Sequence, residues 1–104
     1  MPEQQTPEDQ TRLGDASATV RISNLRGLHA RASAKFVNAV AKLPPGLEVT
    51  VVKDGAVAAG GSILGLMMLG AARGDDIAIH VSGENADVVL GKLVGLVKDG
   101  FGED

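Results

Sequence analysis

Three stretches of this chain alternate apolar and polar residues with a period of two, and that alternation restricts its architecture more than any other feature. Ala18, Val20 and Ile22 interleave with Thr19, Arg21 and Ser23; Leu47, Val49 and Val51 with Glu48 and Thr50; Ile77, Ile79 and Val81 with Ala78, His80 and Ser82. Strands of this kind bury one face and wet the other. They favour an antiparallel sheet with the helices collected on one side, rather than a parallel sheet covered on both. Asp54-Gly55 is a tight-hairpin dipeptide, since both residues tolerate positive φ, and Ala56 to Ala59 reads as the returning strand.

Helical patterns fill the gaps between these strands. Phe36, Val37, Val40 and Leu43 recur at helical spacing, and Pro44-Pro45-Gly46 ends that helix at about Leu43. Ser62 is placed to N-cap a short helix from Ile63 to Leu69, with Gly70 closing it and Ala71 to Gly74 forming a turn. A last helix starts at about Asn85 and carries Val89, Leu93, Leu96 and Val97 on one face. Gly91 and Gly95 weaken it and suggest close approach to the sheet or to the first helix. His80, opposite the apolar residues of its strand, faces solvent.

The chemistry gathers at Gly27-Leu28-His29-Ala30-Arg31-Ala32-Ser33, where a strand turns into the first helix. Backbone N–H groups in the first turn of a helix have no partner within it, and the peptide dipoles leave partial positive charge there. An anion attached to His29 would be held by the N–H groups of Ala30, Arg31 and Ala32, and the planar guanidinium of Arg31 suits phosphate oxygens. A neutral imidazole offers one ring nitrogen with a lone pair, so His29 has the makings of a nucleophile for a phosphoryl group. On these residues alone, a polar helix start with a solvated arginine is an equally good description. No carboxylate stands near His29 in the sequence, and no hydroxyl except Ser33, so an enzyme using His29 as a general base ranks last.

Composition narrows the remaining classes. The chain has 104 residues, enough for one small domain, and no cysteine, which excludes disulfide and thiolate-metal chemistry. Two histidines without a carboxylate pattern give no metal site, and no cofactor is implied. A net charge of −3 and only two aromatic residues argue against nucleic-acid binding. Arg21, Arg26, Arg31 and Lys35 nevertheless cluster around the His29 corner, which suits a negative or phosphorylated partner. Met1 to Asp15 is polar and without apolar period, so residues 1–15 read as a flexible tail and 16–104 as the domain. No stretch resembles a signal peptide or a membrane span, which points to a cytoplasmic protein without membrane insertion. In the segment Ile63 to Leu69 almost every residue is apolar, whereas a short helix buries only one side. The remainder is available to a partner protein.

The run Gly27-Leu28-His29-Ala30-Arg31-Ala32 resembles the active-site motif of HPr, the histidine-containing phosphocarrier of the bacterial phosphotransferase system. Ser62-Ile63-Leu64-Gly65-Leu66-Met67-Met68-Leu69-Gly70 resembles that family's second signature, in the expected order. The similarity runs from about Ala16 to the C-terminus. It implies an α+β open-faced sandwich, a four-stranded antiparallel sheet with three helices on one face. It implies a monomeric carrier, not a turnover enzyme, whose His29 takes a phosphoryl group on Nδ1 from an enzyme I-type phosphohistidine protein and gives it to an enzyme IIA-type acceptor. Arg31 would assist transfer, and Ala34, Ile63, Leu64 and Met67 would form the docking patch. In some members the serine matching Ser62 is modified by a serine kinase. Ala32 replaces the family's usual proline, keeping the helix but adding a donor; with Ser33 it leans toward the nitrogen-linked regulatory branch over the sugar-transport branch. The competing reading is a regulatory protein-binding module that docks through Ile63, Leu64 and Met67, with His29 incidental.

Overall fold

A computed structural model describes residues 15–103. Most of the expected tail, residues 1–14, lies outside the described residues, as does Asp104. Asp15 does not belong to it: it opens strand β1 (Asp15–Arg21) and pairs with Ser82. The chain continues through α1 (Ala30–Ala41), β2 (Glu48–Lys53), β3 (Ala56–Ala59), α2 (Ile63–Met68), β4 (Asp76–Ser82) and α3 (Ala86–Lys98), and ends in a short 3₁₀ turn, Gly100–Gly102.

The four strands form one antiparallel sheet in the order β1-β4-β2-β3. Register aligns Val20, Ala18 and Ala16 with Ile77, Ile79 and Val81, and the last two in turn with Val51 and Val49. One face is therefore apolar and packed beneath the helices, while Thr19, Arg21 and His80 lie on the other. Ile22, Phe36, Leu66, Ile77, Ile79, Leu93, Val97 and Phe101 fill the core. Each such side chain contributes roughly 1.5–3 kcal/mol of burial free energy.

Local rules account for most boundaries. Asp54 and Gly55 both adopt positive φ, 50° and 84°, as a hairpin whose twist matches the strands requires. Helix α1 stops two residues before Leu43, because the residue preceding a proline is pushed out of the helical region and Leu43 precedes Pro44. Ser62 accepts from the Gly65 N–H at 2.9 Å, and Gly70 at φ 65° turns the chain after α2. A side-chain cap of this kind contributes about 1 kcal/mol.

Helix α3 corrects one expectation. Side chains added at Gly91 and Gly95 would meet nothing within 4 Å, so neither residue marks a close approach. Both lie on the solvent side of a helix held to β1 and β4 by Ala86, Val89, Leu93 and Val97.

Candidate functional site

Two loops fix the corner that precedes α1. The Asn24–Gly27 turn closes through Gly27 N–H on the Asn24 carbonyl at 3.2 Å, and Leu28 N–H then donates to the Ala71 carbonyl at 2.9 Å. Ile22 and Gly74 make two further backbone bonds across the same pair of loops, each 2.8 Å, one between Ile22 N–H and Asp75 and one between Gly74 N–H and the Ile22 carbonyl. The segment after α2 thus anchors the segment before α1. Ser33, fully buried, donates to the Leu28 carbonyl at 3.2 Å and serves the corner, not the chemistry.

His29 occupies the N-cap position of α1, and its Nδ1 accepts from the Arg31 backbone N–H at 3.3 Å. On the other side of the ring, Nε2 lies 3.0 and 3.2 Å from the two Glu103 carboxylate oxygens. One nitrogen faces a donor and the other an acceptor, which fits a single neutral tautomer, with hydrogen on Nε2 and a lone pair on Nδ1. A second proton, on Nδ1, would oppose the Arg31 N–H.

Glu103 overturns the expectation that no carboxylate attends His29. It comes from 74 positions away, delivered by the terminal turn, and nothing in the spacing of the sequence announces it. Phe101 is the anchor: its ring is buried, its backbone adopts φ 58° between Gly100 at 64° and Gly102 at 73°, and its carbonyl accepts from Lys35 Nζ at 2.7 Å. A lone aromatic between two glycines, after an amphipathic helix in an aromatic-poor chain, was the available signal. Asn24, also missed, donates through Nδ2 to the Gly27 carbonyl at 2.9 Å and to Glu103 at 3.1 Å.

The hydrogen bond from His29 holds the Glu103 carboxyl below the usual carboxylate range; partial burial opposes this, and Asn24 and the Lys35 ammonium reinforce it. With its value depressed in the folded state, Glu103 resists protonation more in the fold than in the unfolded chain. Its contribution to stability is complete above the ordinary glutamate value of about 4.3 and is lost as pH falls through the lower folded value. Melting curves of the wild-type protein and Glu103→Gln should differ by a constant gap near neutrality that closes in acid. A gap unchanged down to about pH 2 would contradict this linkage.

Leu25, Arg26, His29, Arg31, Lys35, Gly102 and Glu103 line an open cleft of about 510 Å³. Three of the four expected cations meet there. Arg21 does not: it pairs with Asp76 at 3.1 Å on the face of the sheet away from the helices. Lys35 is committed to the Phe101 carbonyl, which leaves the exposed Arg31 and Arg26 to meet an incoming anion. On α2 Leu66 is buried, as is Leu69 just after it, while Ile63, Leu64, Met67 and Met68 are 40%, 69%, 41% and 77% exposed. Helix α1, carrying a half-buried Ala34, packs against α2, so the apolar surface adjoins the helix that His29 begins. Among the described residues no cluster of three or more metal-ligating side chains occurs, and no helix is long and apolar enough to cross a membrane.

The comparison with known proteins agrees. Residues 16–99 match the family model described as "PTS HPr component phosphorylation site". The phosphocarrier protein HPr of Pseudomonas aeruginosa is 39% identical over 84 residues, covering 81% of this chain and 92% of the relative. The phosphocarrier protein NPr of Shewanella violacea is 36% identical over 84 residues, covering 81% and 90%. Among solved structures, HPr of Bacillus anthracis superposes with a TM-score of 0.74 at 30% identity, covering 80% of this chain and 96% of that one. An HPr of Thermoanaerobacter tengcongensis reaches 0.78 at 32% identity, covering 86% and 98%. With the four-stranded sheet, the three helices and both signatures in place, the chain belongs to the HPr family of phosphocarrier proteins.

Proposed function

We propose that His29 is the acceptor, and that Nδ1 takes the phosphoryl group from a phosphoenolpyruvate-dependent enzyme of the enzyme I type and yields it to an enzyme IIA-type protein. The observation that carries this reading is the ring held between the Arg31 N–H and the Glu103 carboxylate, which fits a tautomer whose ring-nitrogen lone pair is on Nδ1. That lone pair attacks phosphorus and a P–N bond forms on Nδ1, while the donor's P–N bond breaks and its electron pair returns to the donor nitrogen. The proton stays on Nε2. The ring gains positive charge in this step, and the carboxylate on Nε2 offsets it, as an aspartate does beside a catalytic histidine.

Bond formation also consumes the lone pair that had engaged the Arg31 N–H. That donor is then free for a phosphoryl oxygen, beside the unpaired N–H groups of the first helical turn at Ala30 and Ala32 and within reach of the Arg31 guanidinium. Exposed Ile63, Leu64 and Met67, with Ala34, supply the apolar docking surface, and Arg26 and Arg31 the charge that steers a phosphorylated partner. The protein acts in this scheme as a cytoplasmic transfer partner whose domain begins with β1 at Asp15, and has no turnover of its own.

The test is to charge the purified protein with phosphoenolpyruvate and the first-component enzyme of either the sugar or the nitrogen-linked branch, then map the product by mass spectrometry. One acid-labile phosphoryl group on His29 is expected, and the enzyme that installs it identifies the branch. Modification elsewhere, or none with either enzyme, refutes the assignment.

A further inference from the structure

Asn24 is 1% exposed, and its amide is oriented by two acceptors at once: Nδ2 donates to the Gly27 carbonyl at 2.9 Å and to Glu103 Oε1 at 3.1 Å. Flipping the amide would set its oxygen against both, so the orientation is unambiguous. The consequence is a buried oxygen with no partner: Oδ1 of Asn24 is the one buried side-chain polar atom among the described residues without a hydrogen bond. An apolar side chain of similar size would remove the unsatisfied oxygen, but it would also take the donor from the Gly27 carbonyl and from Glu103. The stranded oxygen accompanies a two-proton donor at this spot, and one of those protons goes to the carboxylate that holds His29.

We propose that Asn24 is a positioning residue for phosphoryl transfer, fixing Glu103 so that the carboxylate keeps the proton of His29 on Nε2 and leaves Nδ1 bare. The chain Asn24–Glu103–His29 has one link to the loop before α1 and one to the terminal turn, which converge from opposite ends of the domain. Among the described residues the Glu103 backbone makes one hydrogen bond, its N–H donating to the Gly100 carbonyl at 3.0 Å within its own turn. Its side chain is registered on the ring by Asn24. Without that donor the carboxylate rotates more freely, Nε2–H loses its fixed acceptor, and the alternative tautomer, with hydrogen on Nδ1, gains population. That tautomer has no lone pair on Nδ1 with which to attack phosphorus.

This rests on His29 being the acceptor, so the experiment reads two quantities separately. Ring-nitrogen NMR of the uncharged protein gives the His29 tautomer ratio without any transfer, and uptake from phosphoenolpyruvate through the first-component enzyme gives the rate. Asn24→Ala should turn a predominantly Nε2–H ring into a mixture and slow uptake about threefold to tenfold, the range expected for one hydrogen bond. In a Glu103→Ala background the same substitution should have no further effect on either quantity. Should Asn24→Ala not fold, Asn24→Asp keeps the size and sets a second carboxylate against Glu103, and the tautomer ratio should shift in the same direction. An unchanged ratio, or a rate loss equally large with and without Glu103, overturns the proposal. If His29 of the wild-type protein takes no phosphoryl group, the functional reading falls, and the tautomer ratio still decides the part played by Asn24.

Discussion

Replacing His29 with alanine is expected to abolish phosphoryl uptake while leaving the domain folded. No other described side chain can substitute. Ser33 is buried and its hydroxyl is spent on the Leu28 carbonyl, and His80 lies on the opposite face of the sheet. The stability change should be modest, because what is lost is one long cap contact at 3.3 Å and the Nε2–H bond to Glu103 at 3.0 Å, together worth about 1–3 kcal/mol. Glu103 keeps its bond from Asn24 in the variant. Labelling with radioactive phosphoenolpyruvate and the first-component enzyme should give no signal above background at an unchanged far-ultraviolet circular dichroism spectrum. Residual acid-labile label would reveal a second acceptor.

The second large effect is on folding. Gly27 has φ 65°, and a side chain there would run into the Ala71 carbonyl oxygen, the same oxygen that receives the Leu28 N–H. Both surfaces are backbone, so neither yields by a rotamer change. Gly27→Ala therefore combines a left-handed conformation unfavourable for an L-residue with a collision, and should destabilise the protein by about 3–5 kcal/mol. For a domain of this size that lowers Tm by about 15 °C or more. Urea unfolding is the measurement, and a loss below about 1 kcal/mol would show that the two loops can separate without penalty.

The parts of this fold that sequence reveals are those decided locally. The hairpin at Asp54-Gly55 follows from two residues that accept positive φ, the capped start of α2 from one hydroxyl, and the one-sided sheet from alternation over a few residues in each strand. His29 was legible for the same reason, as glycine, histidine and helix start are contiguous. Glu103 and Asn24 were not, since their roles come from the meeting of a loop near the first strand with a turn 79 positions later. Arg21 misled because nearness in sequence was taken for nearness in space. Strand alternation sends its side chain to the face of the sheet away from the helices, where its cross-strand partner Asp76 receives it. Gly91 and Gly95 misled because glycine in a helix invites a packing explanation, whereas both face water.

The strand order has a bearing on how such a molecule emerges from the ribosome. Of the four described strands β1 is made first, yet its one neighbour among them is β4, which follows only after about sixty further residues have been translated. The β2–β3 hairpin, by contrast, closes within a dozen residues of its own synthesis. A nascent chain that has not yet exposed the Gly100–Gly102 turn holds a histidine that lacks its carboxylate, and on the role proposed for Glu103 full-rate transfer would wait until that residue reaches the corner.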